Sequence, residues 1–161
     1  LSERFNGIRK LEITGDPKLF IIKSIGKIYS DCLAAMHKTK KDNSDTAYHN
    51  WRKQVKYLMY CMMILKNAWP SFFETYISEL DELQKALGNL HDLNLFNGLV
   101  VDADLFSLDK KQKDLMLRFI YPRRKALKLQ IHQIGDRLFS ENQSAFSKRI
   151  FGIWQNSIFS R

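Results

Sequence analysis

The stretch from Asp45 to Asn67, DTAYHNWRKQVKYLMYCMMILKN, decides the fold class. Within it Trp51, Val55, Leu58, Met62 and Leu65 recur at intervals of three and four residues, the spacing of a helix with one core-facing stripe. Asp45 or Ser44 stands where an N-cap is needed, and the Ala68-Trp69-Pro70 turn closes the segment. Met62 and Met63 read as core filling, the usual use of a flexible thioether.

Working outward, four more helices follow from the same signals. Asp16-Pro17 is a cap residue followed by proline at the first helical position, predicting a helix to about Lys40 and then the polar loop KTKKDNSD. Pro70 starts a third helix, expected to run to about Phe96. Ser107 is expected to cap a fourth, with Asp109 in its first turn where the helix dipole favours an acid, and Pro122 predicts a kink or restart within it. Ser140 is expected to cap a last helix to about Ile158, whose Phe146, Ile150, Ile153 and Trp154 form its apolar stripe. The expectation is an all-α, antiparallel bundle of about five helices, with residues 1–15 as a lead-in and 16–161 as one domain.

Composition agrees. The chain is 45% hydrophobic with only seven Gly and three Pro, too apolar for disorder and too poor in turn formers for a many-stranded sheet protein. No apolar run approaches membrane-spanning length and no signal peptide is visible. Cys32 and Cys61 stand alone in helical patterns, which fits a reducing compartment better than a disulfide framework, so a cytoplasmic protein is expected. The chain does not start with Met, as a trimmed chain or a fragment would not.

The net charge of +9 is unevenly placed. From Thr46 to Phe73 there is no Asp or Glu, while Arg52, Lys53, Lys56 and Lys66 are present. From Leu115 to Gly135 there is again none, against Arg118, Arg123, Arg124, Lys125 and Lys128. These two stretches carry the whole net charge. A solvated helix face ordinarily mixes signs, because opposite charges at i,i+4 help it. Two stretches without that help are read as reserved for an external anion.

On a helical wheel at about 100° per residue, with His49 at zero, Arg52 falls near 300°, Lys53 near 40°, Lys56 near 340° and Tyr60 near 20°, opposite the Trp51 stripe. The row is about 16 Å long, a track suited to a linear phosphate chain, since Arg forks onto phosphate oxygens and Lys acts as a point charge. Lys125, Lys128 and His132 form a second row, joined by Arg118 if the helix continues through Pro122. Lys23, Lys27 and His37 form a third on the first helix. Three rows facing a common groove would focus potential onto an anion. Any one row can also be read as plain solvated surface. His49 near phosphate would have its charged form favoured, making binding pH-dependent. His91-Asp92 has the form of a metal-binding dipeptide in phosphohydrolases, but the chain has four histidines in all and no further ligand set beside it, so neither a metal nor a cofactor is expected.

His49-x-x-Arg52-Lys53-x-x-Lys56-x-x-x-Tyr60 resembles the signature helix of the CHAD domain family, and Leu83-Gln84-x-x-Leu87-Gly88-x-Leu90-x-Asp92 resembles its second signature. The resemblance covers at least residues 45–97 and implies a helical bundle that binds inorganic polyphosphate in a basic groove, often at polyphosphate granules, without catalysis. By that resemblance His49, Arg52, Lys53 and Lys56 contact the polyanion with Tyr60 beside them, Gly88 permits close helix approach, and Asp92 is structural, through a buried hydrogen bond or ion pair. Met59 stands where the family motif carries Arg, which removes one phosphate contact. The family domain has two pseudo-symmetric halves, whereas this chain carries one clear copy, so either it is half of a longer protein or a C2 homodimer rebuilds the groove. The acidic ExExK strand of the triphosphate-tunnel enzymes often joined to CHAD domains is absent. Two other readings remain: a nucleic-acid-binding module, for which only Tyr57 and Tyr60 come near the basic row to stack bases, and a structural bundle that meets an acidic protein partner.

Overall fold

The computed structural model describes residues 17–102 and 108–159, and among these all regular structure is helical. The expected lead-in, residues 1–15, and the expected cap Ser107 lie outside the described residues. Helix α1 spans Pro17–Asp42, α2 Asp45–Leu65, α3 Pro70–Val101, α4 Lys110–Leu138 and α5 Gln143–Phe159, with a short 3-10 turn at Lys66–Ala68. α1 packs on α2, α2 on α3 and α3 on α4, while α5 returns to α1. No helix among the described residues is long and apolar enough to cross a membrane.

Local chemistry sets the helix ends. Ser44 is the N-cap of α2, its side chain accepting from the Ala47 N–H. Asn43 supplies the reversal between α1 and α2 with a positive φ of 38°, a conformation Asn tolerates better than most side chains. Asp109 is the N-cap of α4 rather than a first-turn residue: its carboxylate accepts from the Gln112 N–H at 2.8 Å while Gln112 Oε1 accepts from the Asp109 N–H at 2.9 Å. Ser140 does not cap α5; Asn142 does, accepting from the Ala145 N–H at 2.9 Å. α3 continues past the predicted end at Phe96 to Val101, with Val100 buried. Pro122 does not break α4 either. It lies on the exposed side, so the carbonyl four residues earlier, at Arg118, gives up its helix partner where water can replace it.

The core follows the predicted stripes. Trp51, Val55, Leu58, Met62 and Leu65 of α2 are buried, with Leu80, Leu83, Leu87 and Leu90 of α3, Leu127, Ile131 and Ile134 of α4, and Phe146 and Ile150 of α5. Ile153 and Trp154 are half-buried against it. Met62 fills the core as expected, but Met63 does not; it is one position off the stripe and exposed. Cys32 is buried and Cys61 half-buried, both free. The α5 attachment is aromatic: Tyr29 stacks on Phe146 with centroids 3.9 Å apart, and its hydroxyl donates to the Glu141 carbonyl at 3.0 Å.

The tightest joint is at Gly135. A Cβ there would stand 2.7 Å and 2.8 Å from two ring carbons of Trp51 and 3.0 Å from Met36 Sδ. Trp51 is fully buried and has nowhere to go. At Gly88 the nearest neighbour of a Cβ is the Arg52 side chain at 3.6 Å, ordinary contact. Gly135→Val should therefore cost about 1–3 kcal/mol of stability in a denaturant melt, the usual cost of overpacking, whereas Gly88→Ala should be neutral or gain up to about 1 kcal/mol of helix propensity.

Candidate anion-binding surface

α2 presents the predicted polar row. His49, Lys53, Lys56 and Tyr60 are exposed, and the Lys56 ammonium lies over the Tyr60 ring at 5.7 Å from its centroid. Arg52 is different. It is half-buried, its guanidinium lies across Gly88 of α3, and its Nε is buried without a hydrogen-bond partner. Close helix approach at Gly88 is thus an approach of the Arg52 side chain, not of two backbones. His49 reaches the α3 side of its helix, with its ring 5.4 Å from that of His91, and the two line a small cleft with Asp45, Thr46, Asn94 and Leu95.

Asp92 does not do what the second signature implies. It is exposed and, among the described residues, its carboxylate has no hydrogen bond or ion pair. It lies on the solvent side of α3, and the buried polar link falls two residues on: Asn94 Nδ2 donates to Asp45 Oδ1 at 2.6 Å. Asp45 also faces Arg124 Nη2 of α4 at 3.4 Å, so one carboxylate ties the start of α2 to α3 and α4.

The second row is built as the wheel predicts, because α4 runs unbroken through Pro122. Lys125, Lys128 and His132 line an open cleft of about 1110 Å³ between α4 and the α1–α2 corner. Arg118 shares their stripe but does not line the cleft. Sequence reading missed three of its walls: Lys40, Tyr48 and, within the row, Arg124. Arg124 stands four residues before Lys128 in an acid-free run, so helical spacing could have marked it. Lys40 and Tyr48 come from other helices and carry no local signal. No carboxylate lines the cleft. Lys128 Nζ donates to Asn43 Oδ1 at 2.8 Å and sits 5.0 Å from the Tyr48 ring centroid. Burial, then the neighbouring Arg124, holds the Lys128 pKa below the ordinary lysine value.

The rows do not share one groove. None of His49, Arg52, Lys53, Lys56 or Tyr60 lines the α4 cleft, because Tyr48 is the α2 residue turned toward it. The α1 row lines neither cleft. Lys23 is exposed, and Lys27 is engaged by Asp31 one turn on. Charge pairing differs among the cations. Among the described residues Lys27, Lys40, Lys66, Lys85, Arg124, Arg137 and Arg149 each hold a carboxylate. In the two acid-free stretches Arg52, Lys53, Lys56, Arg118, Arg123, Lys125 and Lys128 hold none, nor do several lysines elsewhere, among them Lys23, Lys38 and Lys148. The described residues contain no group of three or more His, Cys, Asp and Glu side chains placed to hold a metal ion, so His91 has no ligand set around it.

His132 is the titratable centre of the α4 cleft. Its Nε2 lies 3.1 Å from Tyr48 Oη, its ring stacks on Trp51 at 5.7 Å, and its Nδ1 is buried without a partner. Burial first, then Lys40 and Lys128, push its pKa below the ordinary histidine value, with Asp136 opposing. The unfolded residue therefore takes a proton at a higher pH than the native one, and stability should fall as pH drops below about 6.5. His132→Gln should flatten the acid-side fall in urea midpoint between about pH 7 and pH 5; an unchanged slope would remove His132 as its source.

Residues 6–100 match the CHAD domain among models of known protein families. No curated protein and no solved structure matches the chain. The match takes in the basic row of α2 and the Leu83–Asp92 signature of α3 and stops short of α4, so the α4 wall of the cleft lies outside it. With more than half of its length matched, and with an all-helical architecture that places both signature stretches on adjacent antiparallel helices, the chain belongs to the CHAD domain family.

Proposed function

We propose that this protein binds a linear polyanion of the inorganic polyphosphate type, without turning it over, in the cytoplasm. The observation that carries the reading is how few cations of the two acid-free stretches are held by a carboxylate. Of the nine Lys and Arg in the two acid-free stretches, only Lys66 and Arg124 hold a carboxylate among the described residues; the other seven hold none. A guanidinium or ammonium left without an intramolecular partner is available to phosphate oxygens at no cost of breaking an ion pair. Lys53 and Lys56 on the α2 face form the first contact, and Lys125 and Lys128 in the α4 cleft the second. A long chain can engage both, while a short one occupies a single row. Family membership supports the ligand class, and two free thiols, one of them buried, support a reducing location.

Titration of labelled long-chain polyphosphate over a salt series tests this. With about six phosphates neutralised, log K should fall with log salt at a slope near −4, and Lys53→Ala/Lys56→Ala should weaken binding and bring the slope to about −3. Both residues are exposed, so the variant should fold. Absence of binding, or binding and slope unchanged in the variant, would overturn the reading and favour an acidic protein partner. DNA of equal charge competing as well as polyphosphate would favour nucleic acid.

The α4 cleft adds a pH signature. Phosphate beside His132 favours its imidazolium form, so an empty cleft with a neutral ring should take up a proton on binding. Affinity should rise between about pH 7.5 and pH 6, and rise less in His132→Gln. Equal rises in both would place the polyanion away from this cleft.

A further inference from the structure

The bundle has a feature that anion binding does not use. α2 and α3 run antiparallel, with Asp45 meeting Asn94, His49 meeting His91, and Lys66 meeting Glu74. α3 therefore continues from Leu95 to Val101 beyond the start of α2. α4 meets the same Asp45 through Arg124, so its turns from Lys110 to Arg123 also lie beyond the bundle end. The result is a two-helix arm. Val100 and Ile120 are buried within it.

The outer side of this arm is apolar. Leu95, Phe96 and Leu99 on α3 and Leu115, Met116 and Phe119 on α4 are all exposed, Phe119 by 74%. The two triplets have the same spacing, i, i+1 and i+4, an arc of about 100° on each helix. Each arc is offset in the same rotational sense from its helix's buried side. Because the helices are antiparallel, equal offsets of one hand bring both arcs to the same side of the arm. With on the order of 100 Å² of each side chain exposed, the face offers about 600 Å², the upper end of what a monomer ordinarily shows.

We infer that this face is a self-association surface on which a second copy of the chain docks its own arm about a two-fold axis. Two such faces would bury about 1,200 Å², the lower bound of a stable interface. Charge favours a second copy and sets its direction. From Asp92 to Asp102, α3 has two carboxylates and no Lys or Arg, whereas α4 from Lys110 to Arg123 has five cations against Asp114. Laying α3 of one copy over α4 of the other pairs opposite signs, and the two-fold repeats the pairing. This inference does not depend on polyphosphate binding.

Sedimentation equilibrium over a wide concentration range reads it directly. The expected result is the mass of two chains, with Leu99→Glu and Phe119→Glu each raising the dissociation constant about 100-fold, since each would bury a carboxylate without a partner. All three positions used are exposed in the single chain, so helix content and melting temperature should hold. Ile64→Glu, at an apolar side chain 80% exposed on α2 away from the arm, should leave the dimer intact. A monomer at every concentration would overturn the inference, as would a dimer indifferent to both arm substitutions. A monomer that binds anionic vesicles through Phe119 would overturn it in favour of a membrane surface.

Discussion

The Trp51 ring fits between α1 and α4 only because position 135 has no side chain. The edge of the indole and Met36 Sδ both lie where a side chain at position 135 would stand, with His132 stacked one turn earlier. Burying an aromatic ring of this size is among the larger single contributions available to a small core. It also sets position: α2 cannot rotate without moving Trp51, and α4 cannot approach unless Gly135 receives it. The α4 row is thereby held against the α1–α2 corner. The α2 row, about 160° round the helix from Trp51 at its Lys53 end, is held facing outward. One packing contact thus decides which cations see each other and which do not.

Much of the architecture was legible because it is local. Helix number and type, the α2 stripe and the mixed ends at Ser44 and Pro70 follow from spacing and capping, which act within a turn or two. α4 does not restart at Pro122 because the cost of a proline depends on whether the freed carbonyl meets water, a tertiary fact. Ser140 misled because Asn142, two residues on, also caps well and the chain between them is needed for the corner onto α1. The candidate site was legible as a set of rows and illegible as a surface. Helical phase tells which residues share a face, but not that Tyr48, one residue before His49, turns toward α4 while His49 turns toward α3. Asp92 and Asn94 make the same point: both are polar, two residues apart, and only contact with Asp45 distinguishes the buried link from the exposed acid.

Asp45 is the counterweight to the cationic surface. It is the carboxylate just outside the first acid-free stretch, and it takes Arg124 out of the unpaired set while receiving Asn94. Its exposure keeps the ion pair modest in energy. Its geometric effect is larger, since it ties the start of α2 to α3 and to the middle of α4 at one level, and what α3 and α4 extend beyond that level is the arm.

The connectivity has a consequence for the order in which the molecule assembles. α1 through α3 each pack on the helix next in sequence, and the α1–α2 reversal needs only Asn43 and Ser44, so these contacts close short loops and can form early. The last helix is the exception. Its attachment joins Tyr29 to Glu141 across a separation of 112 residues. Closing so long a loop costs about 3 kcal/mol more chain entropy than closing a tight turn. The α1–α5 seam, with Tyr29 stacked on Phe146, is therefore the last part of the protein to form and the first to open, and amide exchange should be fastest along it among the packed helices.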